Sequence, residues 1–300
     1  MLKVHQLELG SGPSRVLKTR LAKFGRMPDP LAERAVLALP SMDSVVVVKD
    51  IVSRTGRTLD VYRRPDLEDQ ALPAVVFVPG DAPEEIIAVA KQWGQYVSWG
   101  QLVALSGLAA VITNHRSTNG FTDLEGAAQD VDAAVDHVRI SGPDLGIDPE
   151  RIAIWTCSAG APFALRTALR DRPTYVRALV ALYSIMDLRP GREMISADIP
   201  DKVLADFSCS RHLEAGGPFP PMLIASAGKD KEFINRSIET FVAAAVAAGV
   251  DIDYLNHAQG QHAFDVRDND SRSRAIIQRT LDFLGNALLG EPLVRIVGSG

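Results

Sequence analysis

Ser158, Asp230 and His262 are the residues whose types and order in this chain suit acyl transfer. A serine hydroxyl is a poor nucleophile at neutral pH. It needs a base to take its proton, an acid to orient that base, and dipoles to hold an oxyanion. A sharp strand-to-helix turn with small neighbours serves this chemistry, because it projects the hydroxyl outward and aims backbone N–H groups at the developing charge. Residues 154–162, IWTCSAGAP, have that form: Ser158 follows an apolar run, and Ala159 and Gly160 are small enough for the next helix to approach. The pentapeptide Thr156-Cys157-Ser158-Ala159-Gly160 follows G-x-S-x-G except that Thr replaces the first Gly.

Such a serine needs a scaffold that brings distant partners to it. Residues 42–289 read as strands alternating with helices, the pattern of a mostly parallel sheet covered on both faces. Residues 44–53 and 58–63, joined around Thr55-Gly56-Arg57, read as an antiparallel hairpin at the sheet edge. Residues 74–78 (AVVFV) are apolar throughout and end at Pro79-Gly80-Asp81, which predicts a central strand buried on both faces. Further strands are expected over 109–113, 151–155, 176–182, 222–226 and 252–255, with helices over 83–98, 124–140, 161–170, 238–248 and 275–289.

In that order the acid belongs in the loop after a late strand, where Ala227-Gly228-Lys229-Asp230 stands. The base belongs after the final strand, where Gly260-Gln261-His262-Ala263-Phe264 lies, and the oxyanion donors belong after an early central strand, at Pro79-Gly80-Asp81. Two segments fall outside the alternation. Residues 1–41 form an N-terminal extension expected to contribute to a cap, and within the domain at 42–300 the stretch 185–219 reads equally as a cap insertion over the site or as a surface excursion.

Over residues 42–289 the chain resembles the α/β-hydrolase family, especially its dienelactone-hydrolase-like and esterase/lipase branches. The resemblance is carried by GIDPERIAIWTCSAG at 146–160, by AGKD and by GQHAFD. It implies an α/β-hydrolase fold, with Ser158 as nucleophile, Asp230 as the acid orienting the imidazole, and His262 as general base and then general acid. The same route implies an oxyanion hole made by the backbone N–H of Ala159 with that of Gly80 or Asp81. Two departures stand out: dienelactone hydrolases proper carry cysteine where Ser158 stands, and the His-Gly-Gly oxyanion motif of many esterases is absent.

Each position has a competitor or a plainer role. Cys157 precedes the turn apex and reads as a packed thiol. Asp187, after the preceding strand, and Glu232 compete with Asp230, while His257 competes with His262 and reads better as a core or solvent-facing histidine. For His115 a loop hydrogen bond is the commoner role, and for the Asp81 carboxylate a loop cap. Tyr183 and Phe207 are candidate pocket walls or core residues, and Arg192 and Arg211 are candidate carboxylate binders or surface charges.

Of the 300 residues, 46% are hydrophobic and 23% charged, enough for one large core. A net charge of -5 and a pI near 5.7 lack the basic footprint of a nucleic-acid binder. Cys157 and Cys209 fit no zinc or redox spacing, and neither a GxGxxG after a strand nor a P-loop occurs, so no metal, nucleotide or flavin cofactor is expected. The first residues, MLKVHQLELGSGPSR, lack a signal-peptide core, and no apolar run reaches bilayer length. The expectation is a cytoplasmic serine esterase acting on a small-molecule ester, with no membrane or nucleic-acid partner and with homo-oligomerisation left open. Thioesterase, acyltransferase, peptidase and a non-catalytic binding protein are the alternatives.

Overall fold

The computed structural model describes residues 30–195 and 198–290. The part of the N-terminal extension before residue 30 therefore lies outside the described residues. Eight strands form one sheet: β1 (Val46–Val52), β2 (Thr58–Arg63), β3 (Leu72–Val78), β4 (Ala109–Thr113), β5 (Ile147–Cys157), β6 (Val176–Leu182), β7 (Met222–Ala227) and β8 (Ile252–His257). Their spatial order is β1-β2-β4-β3-β5-β6-β7-β8. β2 runs antiparallel to β1 and β4, and every pairing from β4 across to β8 is parallel. The expected edge hairpin and central β3 are both present.

Among the described residues the sheet is covered chiefly by α1 (Gly94–Leu105), α2 (Leu124–Ser141), α3 (Ala161–Ala164), α4 (Arg166–Asp171), α5 (Glu232–Ala247) and α6 (Ser271–Leu289). Strand side chains alternate between the faces, so β3 sends Ala74, Val76 and Val78 into one core and Val75 and Phe77 into the other. The first core is closed by α2, α3, α4 and α5, and the second by α1 and α6. A strand buried on both faces has no need of polar residues, which is why AVVFV is apolar without a break.

The expected helix over 83–98 is replaced by a short turn at Glu84–Ile87, a 3-10 turn at Ala90–Gln92, and α1 only from Gly94. The break falls at Trp93, whose backbone is extended (φ -65, ψ 140). Just before it, the buried Lys91 ammonium reaches Asp50 and Asp60, each at 2.5 Å, and ties this segment to the β1–β2 hairpin. Helical spacing in the sequence carries no trace of that long-range pairing. β5 begins earlier than expected, at Ile147, and α5 begins at Glu232 rather than 238.

Residues 185–219 leave the end of β6 and return as short helices at Asp201–Asp206 and Cys209–Leu213. Met186, Leu188, Leu204, Phe207 and Leu213 join the first core, and Ile185 N–H donates to Ser158 O at 2.8 Å. The described part of the N-terminal extension packs along α1 and the segment that follows β8. Ala35 N–H bonds Ser98 Oγ at 2.8 Å, Val36 N–H bonds Asp265 O at 2.8 Å, and Glu33 pairs with Arg267 at 2.9 Å. No helix among the described residues is long and apolar enough to cross a membrane.

Candidate active site

Ser158 stands where β5 ends, with φ +54, a left-handed conformation that costs a non-glycine residue free energy and lifts its side chain out of the strand line. Pro162 follows near the start of α3, where its missing N–H costs nothing. At Gly160 a Cβ would fall 2.3 Å from Thr156 Oγ1 and 2.8 Å from Pro79 O, so no side chain fits there. This explains how Thr replaces the first glycine of the motif: the room beside the elbow is kept at 160, while the Thr156 hydroxyl is buried without a partner.

The loops after β7 and β8 supply the other two groups. Ser158 Oγ and His262 Nε2 are 2.9 Å apart, and His262 Nδ1 and Asp230 Oδ2 are 2.6 Å apart. The Asp230 carboxylate is only 2% exposed, and its other oxygen accepts from Lys231 N–H at 2.7 Å. The two loops are stitched by Gly228 N–H to His257 O at 2.9 Å and Lys229 N–H to Gly260 O at 2.9 Å. A Cβ on Gly228 would lie 2.2 Å from Ala258 O, so this glycine lets the acid loop close on the histidine loop. Behind His262, the Tyr183 ring stands edge-on at 4.9 Å. The carboxylate fixes the Nδ1–H tautomer, leaving Nε2 as an acceptor facing the serine hydroxyl.

The loop after β3 lies against Ser158. Gly80 N–H donates to Tyr96 Oη at 3.2 Å, whereas Asp81 N–H meets no acceptor among the described residues. Of the two expected donors on this loop, Asp81 is thus the one with a free N–H. Its carboxylate accepts from Thr118 N–H at 3.0 Å and from the Thr118 hydroxyl, a loop-capping arrangement. His115 is buried, with Nε2 3.1 Å from Pro79 O and Nδ1 2.7 Å from Arg116 O, and burial lowers its pKa. It braces the loop, and both its ring nitrogens are engaged by backbone carbonyls.

The competing candidates are engaged elsewhere. Burial alone would raise the Asp187 carboxyl, but hydrogen bonds from Arg189 and Ser210 hold it below the usual carboxylate range. Glu232 pairs with Arg236 at 2.5 Å on the surface. His257 bonds Asp270 at 3.2 Å and Ser273 at 3.1 Å. Burial pushes the Cys157 thiol up to about 12, so it holds no thiolate at neutral pH. Arg192 pairs with Asp201, Arg211 with Glu214, and Phe207 is buried beneath the Arg166 guanidinium.

Ser158 and His262 open onto a cavity of about 340 Å³. Its walls include Ala82, Pro83, Ile86, Trp93 and Val266, with Glu33 and Arg267 also lining it. Tyr183 is a wall residue as well as a core one. Sequence reasoning missed Thr118, Tyr96 and Asp265, whose contacts span long stretches of chain. Only the aspartate within GQHAFD offered a signal. Among the described residues no cluster of three or more His, Cys, Asp or Glu is arranged to hold a metal ion.

A mixed sheet in this strand order, with a serine on a left-handed turn after β5 and acid and histidine loops after β7 and β8, is the α/β-hydrolase fold. The family BD-FAE matches residues 59–192, from β2 to the segment beyond β6. The chain is 28% identical over 254 residues to Esterase LipQ of Mycobacterium tuberculosis, covering 76% of this chain and 58% of that relative's length. Among solved structures, a thermophilic esterase from Thermogutta terrifontis with propionate bound superposes with a TM-score of 0.65 at 18% identity, covering 87% of this chain and 98% of that one. A truncated carbohydrate esterase from gut microbiota gives 0.67 at 17% identity, covering 82% and 98%. These likenesses fix the fold.

Proposed function

We propose that this protein is a serine hydrolase that cleaves carboxylic esters through Ser158, His262 and Asp230. One observation carries the reading: an unbroken hydrogen-bonded relay from Ser158 Oγ through both nitrogens of His262 to a buried Asp230, at the mouth of a cavity. Its relatives in sequence and in structure, which are esterases, support the same reading.

His262 Nε2 takes the proton as Ser158 Oγ attacks the ester carbonyl, and the Asp230 carboxylate stabilises the imidazolium that forms. The oxyanion is held by the N–H groups of Ala159 and Asp81. His262 returns the proton to the leaving alcohol, and a water deprotonated by the same imidazole then hydrolyses the acyl-enzyme. The described N-terminal segment, with Pro30 and Glu33 in the cavity wall, acts as its cover.

Ser158→Ala should lower p-nitrophenyl acetate turnover by about 10⁴-fold or more while leaving the thermal transition within a degree or two. A fluorophosphonate probe should label wild type and not this variant. Retained turnover would remove the assignment.

A further inference from the structure

The cavity beside Ser158 contains one polar group whose orientation is set from behind. Gln95, in the first turn of α1, is 9% exposed and lines the cavity. Its amide nitrogen donates to Tyr183 Oη at 2.7 Å and to Asp265 Oδ2 at 3.0 Å. The Asp265 carboxylate also receives the Tyr183 hydroxyl at 2.7 Å and Trp99 Nε1 at 2.8 Å. A carboxylate only accepts, so the amide cannot flip: its nitrogen must face Asp265 and its oxygen must face away. Gln95 Oε1 has no donor among the described residues and is not sealed from solvent. The open space that Gln95 lines is the cavity beside Ser158.

We propose that the substrate group seated in this cavity carries a hydroxyl that donates to Gln95 Oε1. The inference rests on the ester-hydrolase reading and adds its substrate class: esters hydroxylated on the moiety that fills this pocket. A purely apolar group between Ala82, Ile86, Trp93 and Val266 would strip water from Oε1 and leave a buried acceptor unpaired. A hydroxyl replaces that water, and a site built to bond a substrate hydroxyl discriminates against the analogue that lacks it.

The test compares kcat/KM for matched esters in two series: p-nitrophenyl hydroxyalkanoates against alkanoates of equal length, and hydroxyalkyl acetates against alkyl acetates. Wild type should favour the hydroxylated member about ten- to a hundredfold in one series. Gln95→Met, of similar volume but without the acceptor, should bring that ratio close to one. A wild-type ratio at or below one in both series overturns the proposal, and so does a preference that survives in Gln95→Met. The wild-type ratio decides alone if that variant does not fold. Failure of the underlying reading looks different: Ser158 escapes the fluorophosphonate probe and neither ester of any pair is turned over.

Discussion

Two aspartates follow adjacent parallel strands, Asp187 after β6 and Asp230 after β7, and both have buried side chains. Distance along the chain does not separate them, and sequence reasoning had to carry both. What separates them is the partner. Asp187 is neutralised by a permanent cation, Arg189 at 2.6 Å, and further bonded by Ser210. Among the described residues Asp230 is bonded by an imidazole and one backbone N–H. A carboxylate already matched to a guanidinium has little left to offer a transient imidazolium, whereas one opposite a neutral histidine gains most when that histidine takes a proton. The same residue type at equivalent strand ends is thus structural in one place and suited to catalysis in the other.

Exchanging the two side chains one at a time should expose the difference. Asp230→Asn should cut kcat by about 10⁴-fold, because an amide no longer enforces the Nδ1–H tautomer. The thermal transition of that variant should move little, as measured by calorimetry beside steady-state kinetics. Thr118→Val, which removes one of the two donors holding the Asp81 carboxylate, should lower kcat about tenfold with KM nearly unchanged, while Thr118→Ser keeps full rate.

Asp187→Asn should leave kcat/KM within about threefold and cost about 1–2 kcal/mol of stability, a modest figure because Arg189 is partly exposed. The sign with pH follows from its depressed pKa. The folded-state carboxyl lies below its unfolded value, so its stabilising contribution is full above the ordinary carboxylate range and fades as pH falls through the folded value. Wild type and Asp187→Asn should therefore differ in Tm at pH 7 and converge in acid. The smallest effect should come from Cys157→Ala: less than about threefold on kcat, and no alkylation of native Cys157 by iodoacetamide at pH 8, since burial keeps its thiol protonated.

Residue types, order and periodicity were enough to read the sheet, the hairpin and the convergence of Ser158, Asp230 and His262. Each rests on local pattern plus a known order of loops. Strand β3 was legible because burial on both faces leaves an uninterrupted apolar run. The segment between Pro83 and Trp93 was misread as part of one helix because Lys91 answers to Asp50 and Asp60, thirty to forty residues away in sequence. Which of Gly80 and Asp81 keeps its N–H free depended on the position of the Tyr96 hydroxyl, which no spacing reveals. The bracing of Gln95 and Tyr183 by Asp265 joins three separated stretches, and only the folded chain puts them side by side.

The far end of α6 carries a practical corollary. Leu288 O accepts from Arg151 Nη1 at 3.2 Å, near the middle of β5, whereas Ser158 lies just beyond the C-terminal end of that strand, about 20 Å further along it. Pro30, by contrast, sits on the cavity rim itself. An immobilisation handle joined near Gly290 would leave the entrance facing bulk solution, and one joined close ahead of Pro30 would crowd the doorway.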